Sequence, residues 1–249
     1  MNTPQFNAAL PLNLLGQTVV IFGGTSGIGL AAAIQAKAAG AGVIVVGSNA
    51  ERAQEAADTH GLAGWRAADV TRSETIYTAL ADISHVDHLV LLAGSFVAGR
   101  VLDAEVDYLR RAFDERMWAS VHAIRALGDK LSKSGSITFI SGNLADRPNA
   151  YGTAVLAAAS AAMEALARGL ALELAPVRVN TLSPGPINTP ILGKALGAGR
   201  DAFVASLEQA LPLHRLGSAE EAGNAVVFLM NNTYMNGAVL NVDGGARLA

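Results

Sequence analysis

Cysteine is absent from the 249 residues, which excludes disulfides, thiolate nucleophiles and cysteine-bound metal. Charge is scarce too. Only 16% of residues are charged against 51% hydrophobic, so buried faces must be wide, and a net charge of -3 without a basic run argues against nucleic acid as a partner. The five histidines, His60, His85, His88, His122 and His214, form no HExxH; His85 and His88 beside Asp87 read as a solvated turn, and no metal site is expected. No apolar run reaches the roughly 18 residues of a membrane span, because Ser160, Glu164, Arg168 and Glu173 interrupt the Ala-rich stretch 153–174. The N-terminal residues lack the basic and apolar regions of a signal peptide, so the expectation is a cytoplasmic chain without membrane contact. Lysine is missing from a long central stretch: none occurs between Lys133 and Lys194.

What is present alternates. TVVIFGG (18–24), GVIVVGS (42–48), GWRAADV (64–70), HLVLLAG (88–94), SITFISG (136–142), VRVNTLSPG (177–185) and GAVLNVDGG (237–245) predict seven strands, with Ala-rich helices such as 28–40 and 50–60 between them. Continuous apolar strands separated by helices predict an α/β chain. The expected architecture is one doubly wound, seven-stranded parallel sheet covered on both faces, a single domain over residues 1–249. Pro and Gly cluster in PGPINTPILGKALGAGRDAF, and a substrate loop or flap is expected at about 186–215.

Gly23, Gly27 and Gly29 fall where the first strand turns into the first helix. Glycine there allows the tight turn and lets backbone N–H groups reach a pyrophosphate at a helix N-terminus. With this loop stand AADVT (67–71), LVLLAG (89–94), LALELAPVRVNTLSPGPINTP (170–190) and NGAVLNVDGG (236–245). In this order the motifs resemble those of the short-chain dehydrogenase/reductase superfamily over nearly the whole chain. The resemblance implies a Rossmann fold, oxidoreductase activity on a small-molecule substrate, and a nicotinamide dinucleotide. It places Gly23, Thr25, Ser26 and Ile28, with Gly27 and Gly29, along the pyrophosphate and ribose, and Asp69 and Val70 on the adenine. Ala93 and Gly94 would flank the adenosine ribose, and Pro184, Gly185, Ile187 and Thr189 the nicotinamide. A plain turn for each glycine, and a helix cap for Asp69, are the alternative readings. The end of strand two selects the dinucleotide. NAD users carry an acid there, whereas this chain carries Gly47, then Ser48, Asn49 and, a turn on, Arg52, a set able to hold a 2'-phosphate, although Ser48 and Asn49 could equally be helix caps. NADP(H) is expected over NAD(H).

The same resemblance implies a Ser, a Tyr with a Lys one helical turn later, and an Asn, which supply a proton and an oxyanion partner as hydride is delivered. Counted back from Glu173, Lys falls on Ser160 and Tyr on Leu156. Ser falls on Gly142 or Asn143, and Asn on Arg116, or on Glu115 if the register slips by one. Starting from Tyr151 instead puts Val155 at the Lys position and Thr138 at the Ser position. Neither register supplies a lysine. Ser141, Asn143 and Tyr151, on the loop leaving the fifth strand, are candidates to replace the missing acid; the alternative is that they satisfy loop backbone groups or pack. Two readings stand open. One is an NADP(H)-dependent oxidoreductase acting on a carbonyl, hydroxyl or activated double bond through a non-standard proton relay. The other is a catalytically inactive dinucleotide-binding homologue with a regulatory or scaffold role. The resemblance also implies a homotetramer or homodimer paired through helices over 103–127 and 153–174, where Ala154, Ala157, Ala158, Ala161 and Ala165 allow close packing.

Overall fold

The apolar, β-branched run Thr18–Phe22 makes strand β1, and both of its faces are buried: Val20 and Phe22 on one side, Val19 and Ile21 on the other. The structure, a computed structural model, describes residues 12–192 and 199–249. Strand β1 lies inside a seven-stranded sheet with β2 (Gly42–Gly47), β3 (Gly64–Ala67), β4 (Val86–Leu91), β5 (Leu131–Ile140), β6 (Arg178–Pro184) and β7 (Val239–Val242). The order is β3-β2-β1-β4-β5-β6-β7 and every neighbouring pair is parallel, as the alternating pattern predicts. The order reverses between β1 and β4. In open α/β sheets a ligand crevice forms at such a reversal, beyond the carboxyl ends of the strands.

The helices are α1 (Gly27–Ala38), α2 (Ala50–His60), α3 (Ser73–Leu80), α4 (Val106–Phe113), α5 (Ala119–Leu127), α6 (Ala154–Glu173), α7 (Arg200–Ala210) and α8 (Ala219–Asn231). Helices α3, α5 and α6 cover one face through residues such as Ile76, Ala123 and Met163; α1 and α8 cover the other through Ala32 and Val226. Between α4 and α5 the backbone makes a π-turn, Asp114–Trp118. By length and composition α6 has the profile of a membrane-crossing helix, with a mean hydropathy of 1.5, which the count of its interrupting polar residues did not register. Here its Met163, Ala167 and Ala171 pack on the sheet.

Two boundaries differ from the sequence reading. Strand β5 begins at Leu131 rather than near 136, because Leu131 pairs with Val86 ahead of an irregularity in the β4–β5 register. Strand β3 stops at Ala67, since Asp69 turns the chain by accepting hydrogen bonds from the Thr71 backbone N–H and hydroxyl. Of the expected flap, residues 193–198 lie outside the described residues, and α7 forms much of the remainder.

Candidate active site

At the carboxyl ends of β1 and β4 the chain encloses a cavity of about 680 Å3. Its floor is the β1–α1 turn. Gly23 has φ 78°, and a Cβ on Gly29 would stand 2.1 Å from the Gly23 carbonyl oxygen, so the first turn of α1 closes on the strand only with glycine at both positions. Ser26 caps α1 in an extended conformation without a side-chain bond, and no acid occupies the first turn. The N–H groups that open the helix therefore keep their hydrogen-bonding capacity and the positive end of its dipole. Thr25, Ser26, Gly27, Ile28 and Gly29 all line the cavity there. Such a cradle fits the pyrophosphate of a dinucleotide.

One end of the cavity is lined by Gly47, Ser48, Asp69 and Val70. Hydrogen bonds from Thr71, above all from its hydroxyl, hold the Asp69 carboxyl below its usual range. A Cβ on Gly47 would lie 2.6 Å from the Thr25 Cγ2, so Thr25 occupies the space that an acid at residue 47 would need. Asn49 and Arg52 do not line the cavity. Asn49 caps α2 by accepting the Arg52 backbone N–H at 2.8 Å. Ala93 and Gly94 line the wall opposite the glycine turn, and Thr189, Pro190 and Ile191 close the outer side. Pro184, Gly185 and Ile187 are not part of the lining: Pro184 pairs with Val242 in the sheet, Gly185 packs on Asp243, and Ile187 bridges to Gly217.

The other end holds a polar cluster built by the π-turn. Such turns change the side-chain phase by one residue, and here both Glu115 and Arg116 line the cavity, so the two alternatives left by the register count are both present. Glu115 is buried; its carboxylate accepts from the Ser95 N–H and hydroxyl at 2.6 Å each and pairs with Arg111 at 2.7 Å. Arg116 donates to the Ser95 carbonyl at 2.8 Å, and its guanidinium lies against Gly94, where a Cβ would stand 3.0 Å from Cζ. Among the described residues Arg116 has no carboxylate within ion-pair distance. Burial pushes its pKa below the usual value, opposed by the neighbouring Glu115 charge.

Of the candidates for the missing acid, only Ser141 lines the cavity. Asn143 opens a short 3-10 turn, and Tyr151 is 79% exposed. Arg147, on the same loop, bonds the carbonyl oxygen of Ala249. Leu156 is buried with Val97 and Leu109 in a satellite cluster, and Ser160 is buried; neither lines the cavity. Two participants escaped the sequence reading. Arg111 gave no signal beyond helical spacing to Glu115, whereas Glu164, which accepts from the Ser141 hydroxyl at 2.7 Å, is the lone acid between Asp146 and Glu173 and sits one turn past Ser160.

A family model described as Enoyl-(Acyl carrier protein) reductase matches residues 23–247. The chain is similar to short-chain dehydrogenase/reductase ATR9 from Stachybotrys chlorohalonatus (strain IBT 40285), at 34% identity over 94% of this chain and 98% of the relative. It is also similar to cis-2,3-dihydrobiphenyl-2,3-diol dehydrogenase from Pseudomonas putida, at 32% identity over 94% of this chain and 92% of the relative. Among solved structures, a small-chain dehydrogenase in complex with NADPH superposes with a TM-score of 0.80 and 36% identity, covering 94% of this chain and 99% of that one.

Proposed function

The chain belongs to the short-chain dehydrogenase/reductase superfamily of oxidoreductases, and from that premise we propose that it transfers hydride between NADP(H) and a carbonyl, hydroxyl or activated double bond through a non-standard proton relay. The observation that carries the reading is the cavity itself. It joins an open helix N-terminus suited to a pyrophosphate to a cluster of Arg111, Glu115, Arg116 and Ser141 at the opposite end. When bound, the nicotinamide supplies or takes the hydride; the protein's part is to orient it and to stabilise charge on the substrate oxygen. Arg116 suits the second task, because a guanidinium without a carboxylate partner is free to donate to an oxyanion. The absence of an acid at Gly47, the hydroxyl of Ser48 in the cavity, and the likeness to a dehydrogenase solved with NADPH support NADP(H).

A second reading, dinucleotide binding in a regulatory or scaffold role, is favoured by one observation: Leu156 and Ser160 are packed away from the cavity. Cofactor titration followed by single turnover with C4-deuterated NADPH over a carbonyl and enone panel, and the reverse reaction over alcohols, separates the two. Deuterium in a product supports the enzyme; tight binding without any transfer supports the second reading. We also propose a cytoplasmic homo-oligomer paired through α6. Its Ala154, Ala158, Ala161 and Ala165 form an exposed small-residue stripe, while Ala157 is already buried in its own chain.

A further inference from the structure

Ser141 stands at the carboxyl end of β5, tied to the sheet by its N–H to the Leu182 carbonyl at 2.8 Å, with its side chain in the cavity wall. Its hydroxyl proton points away from that cavity. It is donated at 2.7 Å to a carboxylate oxygen of Glu164, which leaves the Ser141 lone pairs as the acceptor offered to a ligand. Glu164 lies one turn beyond Ser160 and two beyond Leu156, on the same stripe of α6. It is half-buried and has no ion-pair partner among the described residues, so its second oxygen is available to water. A hydroxyl facing the cavity, hydrogen-bonded to a carboxylate that reaches solvent, is a two-step path for a proton.

We propose that Ser141 and Glu164 are this path, and that it runs outward, so that the substrate presents an alcohol and the chain works as a dehydrogenase. The inference rests on the oxidoreductase reading above. The substrate O–H proton passes to Ser141 Oγ as the Ser141 proton passes to Glu164, which releases it to water. The carbinol C–H bond breaks with its electron pair, and that hydride is taken by the oxidised nicotinamide, leaving a carbonyl. Ser141 is thus a catalytic residue and Glu164 a positioning and relay residue.

Glu164→Gln separates relay from architecture, because the amide oxygen still accepts the Ser141 hydrogen bond but takes up no proton. The assay uses the full chain with NADP+ and a panel of secondary alcohols and vicinal diols. Dinucleotide affinity and thermal midpoint are expected to stay unchanged in Glu164→Gln, while kcat for the best alcohol falls on the order of 100-fold. Glu164→Asp should recover part of the loss. Ser141→Ala should lose as much and should also abolish a binding preference, expected at about tenfold, of the protein–NADP+ complex for that alcohol over its ketone. Oxidation that persists within threefold in Glu164→Gln overturns the inference and leaves the oxidoreductase reading intact. A wild-type chain that binds dinucleotide yet transfers no hydride in either direction overturns both.

Discussion

The His88 ring is held between two polar side chains: Nε2 donates to Gln17 Oε1 at 2.6 Å, and Nδ1 accepts from Ser136 Oγ at 2.8 Å. Burial first, and the Arg178 charge second, push its pKa from 6.5 down to about 4, against the pull of Asp87. With the folded value below the unfolded one, it is the unfolded chain that gains the extra proton as pH falls. Stability from this group is full above pH 6.5 and is lost on the way down through about 4. The loss is on the order of 3 kcal/mol. Urea unfolding at neutral and mildly acidic pH measures it, and His88→Asn should flatten that part of the profile. Arg116 offers a second test at this scale. Arg116→Gln keeps donors but removes the charge, so kcat should fall by roughly 10² to 10³ with dinucleotide affinity nearly unchanged, as steady-state kinetics and fluorescence titration would show. The four-residue spacing in the sequence located the hole left by Tyr and Lys, but not its replacement. Residues that act through space, such as Glu164 behind Ser141, share no motif with the groups they serve.

Helix α8 ends on a side chain from the sheet. The buried Arg178 guanidinium on β6 donates to the carbonyls of Leu229 at 2.8 Å, Met230 at 2.7 Å and Asn232 at 2.8 Å, the acceptors that a helix C-terminus leaves unpaired. Arg178→Met leaves those carbonyls buried and unpartnered, and should cost about 3 kcal/mol in chemical denaturation. The start of the same helix was open to sequence reading in a way its end was not. Ser218 and Glu221 form a capping box three residues apart, whereas Arg178 lies some fifty residues before the helix end it caps. The π-turn between α4 and α5 marks a similar limit. It has no composition of its own, so counting through it left Glu115 and Arg116 as rivals when both face the cavity.

At the scale of the molecule, the seven strands were legible because each is a continuous apolar run, and a parallel sheet buried on both faces demands that pattern. What the pattern leaves open is the outer face of α6. Ala161→Trp projects a large ring from its alanine stripe and should shift light-scattering mass toward monomer without changing the circular dichroism of the fold; unchanged mass would remove α6 from the interface. The contact between Thr25 and Gly47 has a consequence for how coenzyme choice can change over generations. Gly47→Asp alone drives a side chain into the Thr25 methyl and should weaken NADPH and NADH together. With Thr25→Gly in place first, the same aspartate should raise NADH affinity about tenfold over either single variant, a coupling that titration of all four combinations would reveal. The two substitutions are then open to selection in one order only, and a lineage that starts from this chain reaches NAD through residue 25 before residue 47.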